Sequence, residues 1–188
     1  NHLLKDIKVS TIYSGIKKTQ NNEDDLLLIE LKKKSAIAGV FTQSLTSSAS
    51  VNQCKKNLTK YKEPLVRAIL VNSGNANAFT GKIGEETVLK ISKYLSKKLN
   101  CSINHIYTAS TGVIGEPLDE NKIIKQLPFL ISNLQNNSNS WLKAAKAIMT
   151  TDTFPKTHSE HFFAKTDIII NGIATVSYTH LRAHETGY

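Results

Sequence analysis

No apolar run in these 188 residues approaches the 18 or so needed to cross a bilayer. The first ten residues, NHLLKDIKVS, lack the long apolar core and small-residue cleavage site of a secretory signal. These absences point to a cytoplasmic protein that does not engage membrane. Cysteine is scarce. Cys54 and Cys101 are the only two, far apart and outside any CxxC pattern. A disulfide framework is thereby excluded, and both are expected to be small apolar residues in a reducing compartment. Metal-ligand spacing is missing as well. His158 and His161 in HSEH have no third ligand, and HLRAH at 180–184 lacks the Glu of a zinc-protease helix. No metal or organic cofactor is expected.

Acidic residues are outnumbered, 15 against 24 Lys and Arg, leaving a formal charge of +9. A nucleic-acid binder is the obvious thought. Yet the lysines come in short scattered runs (32–34, 55–56, 97–98), without interleaved aromatics and without RNP, KH or zinc-finger spacing. The charge reads as solvated surface with some attraction for small anions, and no nucleic-acid partner is expected.

Present in quantity are the makings of one globular domain: 40% hydrophobic and 21% charged residues. Strands are expected at 7–13, 26–31 and 35–43, the last with Gly39 inside it, and at 64–72. Apolar Val51, Cys54 and Leu58, at i, i+3 and i+7, place a helix over 50–60. A second helix runs from Ile83 to Leu99, with Glu85 and Glu86 early and Lys97 and Lys98 late. A strand follows at 103–110. Asp119 caps a helix over about 120–126, Pro128 restarts it toward 134, another helix covers 139–149, and a last strand covers 161–172. The alternation is that of an α/β or α+β fold.

Three stretches carry possible chemistry. VNSGNANAFTGK, 71–82, joins a strand to a helix as a phosphate loop would, but Ala76 and Ile83 stand where a P-loop needs Gly and Ser or Thr. It is either a hydrogen-bonded turn lattice or the wall of a site. STGVIG, 110–115, leaves a strand end with a Thr-Gly pair; such a pair can aim a backbone N–H and a hydroxyl at one oxyanion, though most are plain turns. TTDT, 150–153, falls where a helix should stop and reads as a capping turn, a substrate clamp or a nucleophile with its helper. Residue chemistry alone does not choose among these.

Taken in series, AGVFTQ (38–43), SASVNQC (48–54), ILVNSGNANAFTG (69–81), ASTGVIGEPL (109–118) and AIMTTDTFPK (147–156), with SGIKK (14–18) and DLLLIEL (25–31), resemble the bifunctional ornithine acetyltransferase / N-acetylglutamate synthase family of arginine biosynthesis. The likeness runs from about residue 7 to Ala174. It implies a layered α/β sandwich, incomplete without a β chain. The family precursor cleaves itself at an Ala-Thr bond, and the new N-terminal Thr carries acetyl from N-acetylornithine to glutamate. By this resemblance Thr111 and Gly112 form the oxyanion hole and Thr150 binds substrate, with Thr151, Asp152 and Thr153 in support. The family's α and β chains assemble as a heterotetramer.

Beyond Gly172, Ile173 and Ala174 the likeness fails. Thr175 stands where the family has a substrate-binding Lys, and TVSYTHLRAHETGY resembles no part of it. The expected organisation is therefore an α-chain region, 1–174, and an unrelated tail, 175–188. These residues contain no family nucleophile, so the chain alone is expected to be inactive. An N-terminal-nucleophile aminopeptidase of related fold and a non-catalytic binding protein remain the rival readings.

Overall fold

The computed structural model describes residue 4 and residues 6–19, 21–163 and 168–175. The chain builds β1 (Ile7–Ile12), β2 (Leu26–Ala36), α1 (Ala49–Lys60), β3 (Leu65–Asn75), α2 (Gly81–Lys98), a 3-10 turn (Ile103–His105), β4 (Ile106–Val113), α3 (Glu120–Ser132), α4 (Ser138–Ala147), β5 (Lys156–Phe162) and β6 (Ile168–Ala174). The first four strands form one sheet in the order β1-β2-β3-β4, antiparallel except for the parallel pair β3–β4. β5 and β6 form a separate antiparallel pair.

Both faces of the sheet are covered, which explains the unbroken LLLIEL run: a strand buried on two sides has no reason to alternate. Leu26 and Leu28 face α2 and α3 and join Leu70, Ile91, Leu95, Ile123, Leu127 and Leu130. Leu27 points the other way, to Val9, Ala144, Ala147 and Ile148 under α4. Beside β4, α1 closes a third cluster around Cys54, Val66 and Tyr107. Each fully buried leucine is worth about 1.5–3 kcal/mol relative to exposure. Among the described residues no helix is long and apolar enough to cross a membrane.

The helix starts carry their own signals. Ser48, Asp119 and Asn137 accept backbone N–H bonds as N-caps, and Asn137 with Ser140 forms a capping box. Because α2 begins at Gly81, Glu85 and Glu86 fall beyond its first turn, and only Lys97 and Lys98 complement the dipole.

Four expectations are corrected. Residues 35–43 are not a strand: β2 ends at Ala36, and the chain then runs irregularly with Val40 98% exposed. Pro128 lies inside a single α3 rather than restarting a helix. A mid-helix proline costs about 3 kcal/mol, and Ile123, Leu127 and Leu130, fully buried along one face, offset it. The last helix stops at Ala147. The final strand is instead the hairpin β5–β6.

Candidate functional site

The sequence places loops after residue 72 and after Ser110, but the ladder continues through both. Ser73 pairs with Thr111, Gly74 with Gly112 and Asn75 with Val113. Two glycines permit this. Gly112 has φ +131°, and a Cβ on it would lie 2.3 Å from the Gly74 carbonyl carbon. Gly74 has φ +100°, and its Cβ would lie 2.6 Å from Lys17 Cα. Three backbones are therefore stacked where no side chain fits, in conformations that favour glycine.

Hydrogen-bond phase tells where the amides of β4 point. Ser73 N–H donates to Asp25 O (2.9 Å) and Ala76 N–H to Val113 O (2.8 Å), so odd residues of β3 bond β2 and even residues bond β4. On β4 the odd residues then return these bonds, and the even ones turn outward. Ile106 O accordingly accepts from Asn57 Nδ2 (2.9 Å), and Thr108 O from Cys54 Sγ (3.3 Å). The Ser110 and Ser50 hydroxyls meet at 2.9 Å. Gly112 continues this series: its N–H is directed away from β3, one step past the N-terminus of α1. Burial raises the Cys54 thiol's pKa, so this sulfur is a structural donor.

Thr111 shares a face with its register partner Ser73, whose hydroxyl donates to Ala147 O at the end of α4 (2.7 Å). That bond brings residues 148–153 to the same end of the sheet. Thr150 lines a cleft of about 570 Å³ with Lys17, Glu23, Asp24, Lys146 and Asp152. Its Oγ1 is buried and has no hydrogen-bond partner among the described residues. Such an atom costs about 1–3 kcal/mol unless something bonds it.

Asp152 does more than support. Its side chain is 0% exposed and ion-paired with Lys156. It accepts from Thr175 Oγ1 (2.6 Å) and from the Thr150 N–H (3.4 Å). Thr175, expected as the first residue of an unrelated tail, thus touches the site; residues 176–188 lie outside the described residues.

Asp25 is the residue that sequence reasoning missed. It is 0% exposed. Its Oδ1 accepts from Ser14 N–H and Oγ (both 2.7 Å), and its Oδ2 from the N–H of Ile16 (2.8 Å) and Lys17 (2.9 Å). Four donors fix the 14–17 segment against Gly74. The signal was present: an aspartate directly preceding an apolar strand has to bury its carboxylate and needs donors nearby.

The asparagines of 71–82 form a lattice. Asn72 joins Ser110 Oγ to Asn75 O (2.7 and 2.8 Å). Asn75 joins Asn77 N–H to Glu116 O (2.7 and 3.0 Å). Asn77 joins Thr80 Oγ1 to Gly84 O (2.9 and 3.2 Å). All three amides act as scaffold holding Gly74 in place. His158 pairs with Glu160 at 3.3 Å on exposed β5, and His180 and His184 lie outside the described residues. No group of three or more His, Cys, Asp or Glu able to hold a metal occurs among the described residues.

Comparison with known proteins places this geometry. The ArgJ family model matches residues 8–177. The arginine biosynthesis bifunctional protein ArgJ of Mesorhizobium japonicum is 42% identical over 173 residues, which is 92% of this chain and 40% of that protein. That of Bradyrhizobium diazoefficiens is 44% identical over 169 residues, 89% of this chain and 39% of that protein. The chain thus spans about 40% of the length of these curated relatives. Ornithine acetyltransferase of Mycobacterium tuberculosis, solved in complex with ornithine, superposes with TM-score 0.78 at 25% identity over 95% of this chain and 96% of that one. The Bacillus halodurans ArgJ structure shares the fold, with TM-score 0.76 at 24% identity over 93% and 88% of the two chains. A model match spanning nearly all of the described sheet, with relatives above 40% identity, establishes that the chain belongs to the ArgJ family.

Proposed function

We propose that these residues are the α-chain portion of an acetyltransferase of arginine biosynthesis, which moves acetyl from N-acetylornithine to glutamate through an acyl-threonine. The single observation that carries this reading is the buried Thr150 hydroxyl, on the wall of a cleft and without a hydrogen-bond partner among the described residues.

The chemistry divides into two half-reactions. A threonine Oγ attacks the acetyl carbonyl of N-acetylornithine, and the carbonyl oxygen becomes an oxyanion that the Gly112 N–H receives. Thr111, on the face toward α4, adds its side chain to the same region. The C–N bond then breaks, and ornithine leaves with the proton taken from the threonine. In the second half the glutamate amine attacks the ester, a second oxyanion forms at the same donor, and the threonine oxygen leaves reprotonated. One oxyanion donor is commonly worth about 3 kcal/mol of barrier. Thr150 bonds substrate through its hydroxyl, with Asp152 holding its backbone.

The attacking threonine belongs to a β chain, which pairs with this portion in a heterotetramer. The 188 residues alone therefore bind and polarise but do not transfer acetyl. The test is a paired assay: the complete polypeptide should move acetyl from N-acetylornithine to glutamate, and the purified 188-residue chain should not. Turnover by the shorter chain, or none by the complete one, defeats the proposal.

A further inference from the structure

Gly112 has no side chain to pack, a φ of +131°, and a place next to the end of the β3–β4 ladder at Val113. An amide with that much freedom needs neighbours to fix its direction. Asn72 supplies two of them. Its Oδ1 accepts from Ser110 Oγ at 2.7 Å, on β4 just before Thr111 and Gly112. Its Nδ2 donates to Asn75 O at 2.8 Å, on β3 just after Gly74. A Cβ on Gly112 would lie 2.6 Å from Asn75 N. One side-chain amide therefore grips both strands, on either side of the contact between the two glycines. Ser50, at the start of α1, extends the grip, with its hydroxyl 2.9 Å from that of Ser110. Ala49 N–H donates to Asn77 O (3.2 Å) and ties the same helix start to the loop beyond β3.

The direction of this chain is set at one end. A carbonyl only accepts, so Asn75 O selects the Nδ2 side of Asn72 and turns Oδ1 toward Ser110. Ser110 gives its single hydroxyl proton to Asn72, so Ser50 donates to Ser110. Ser50 and Asn72 are 1% and 4% exposed, and a broken link leaves a buried polar group unsatisfied. Building on the acetyltransferase reading, with Gly112 as its oxyanion donor, we propose that Ser110 is a positioning residue for that donor. Its hydroxyl, held between Ser50 and Asn72, fixes the end of β4 so that the Gly112 N–H keeps one direction through both half-reactions. Successive side chains leave opposite faces of a strand, so Ser110 points away from the face of Thr111. It acts through the backbone, on the barrier and not on substrate binding.

The test uses the complete polypeptide and two donors, N-acetylornithine and its thioacetyl analogue. Sulfur is larger and a poorer acceptor than oxygen, so an N–H aimed at an oxyanion should make the unmodified enzyme prefer the oxygen donor. Ser110→Ala should lower kcat for N-acetylornithine by roughly 10–100-fold, within the loss that a misplacement of about 1 Å can cause. KM should change little, and the preference for oxygen over sulfur should shrink. Ser110→Thr, which keeps the hydroxyl, should restore most of both. Ser50→Ala removes only the outer donor and should shift the oxygen-to-sulfur ratio in the same direction, by less. Should Ser110→Ala not fold, the ratio in Ser50→Ala is the deciding measurement. A loss of stability alone, with kcat and the oxygen-to-sulfur ratio unaltered in an active variant, overturns the positioning role and leaves the acetyltransferase reading standing. Absence of acetyl transfer by the unmodified enzyme overturns the acetyltransferase reading, and this assignment with it.

Discussion

Gly74 and Gly112 face each other across the β3–β4 ladder so closely that a Cβ on Gly112 would come within 2.3 Å of the Gly74 carbonyl carbon. A methyl group on Gly112 would force β3 and β4 apart and shift the strand bearing the proposed oxyanion donor, whereas one on Gly74 would meet Lys17 Cα at 2.6 Å.

The first prediction follows directly. Gly112→Ala in the complete enzyme should reduce kcat by roughly 10²–10³-fold, the loss typical of one oxyanion donor, with a smaller change in KM. Steady-state kinetics with N-acetylornithine as the varied donor would show it. A variant with near-native kcat removes Gly112 from the chemistry.

Thr150 allows a test in which stability and function move in opposite directions. Thr150→Val removes a buried hydroxyl that has no partner among the described residues while keeping its shape. Resistance to urea should hold or rise, by up to about 1–3 kcal/mol, while KM for N-acetylornithine rises. Loss of stability with unchanged KM would mean that the hydroxyl serves the fold and not the substrate.

Asp25→Asn replaces one acceptor oxygen with an amide that meets N–H donors. Hydrogen bonds to a charged group contribute about 1.5–3 kcal/mol each, so the variant should unfold at clearly lower urea. Hydrogen exchange should accelerate first at the amides of Ile16 and Lys17, which donate to this carboxylate. Uniform acceleration across the sheet would contradict a local clamp.

A pH dependence follows from the link between α2 and α3. Lys90 Nζ donates to Glu120 Oε1 at 2.6 Å; that bond lowers the pKa of Glu120 and raises that of Lys90. A depressed carboxylate stabilises above its unfolded pKa, and the effect is lost as pH falls through the folded one. A raised amine stabilises below its unfolded pKa, and the effect is lost as pH rises through the folded one. The pair therefore contributes in the window between the ordinary carboxylate and lysine ranges. Lys90→Met should lower the urea midpoint in that window and converge on the unmodified protein in strong acid. A gap that persists there would rule out this pair as its source.

Much of the scaffold was legible because its signals are local. Val66 to Val71 announce a buried strand by β-branching and apolar character, and the 83–99 stripe announces a helix. What escaped depends on partners distant in sequence. Ser73, Gly74 and Asn75 look like a turn until Gly112 is set beside them, and then they are strand. Gly39 suggested a strand with a bulge, but residues 37–40 join no strand ladder among the described residues. The helix-breaking tendency of Pro128 is local, whereas the burial that overrides it comes from the sheet. At the site, Thr111, Gly112 and Thr150 were reached through resemblance. Asp25 was not singled out, because its four donors lie eight to eleven residues earlier in the chain and converge only once the 14–17 turn folds back.

The side chains that α1 sends to the outer rim of β4 have a further effect. Asn57 and Cys54, spaced along one helix face, occupy successive outward carbonyls, and Ser50 meets the next residue of the same phase. A foreign strand seeking to extend the sheet finds those acceptors taken, so the rim resists templated aggregation without proline or charge. The guard ends with the first turn of the helix, and the next outward amide is Gly112. One arrangement thereby guards the β4 edge against unwanted polymer growth and stops short of the glycine proposed to receive the oxyanion.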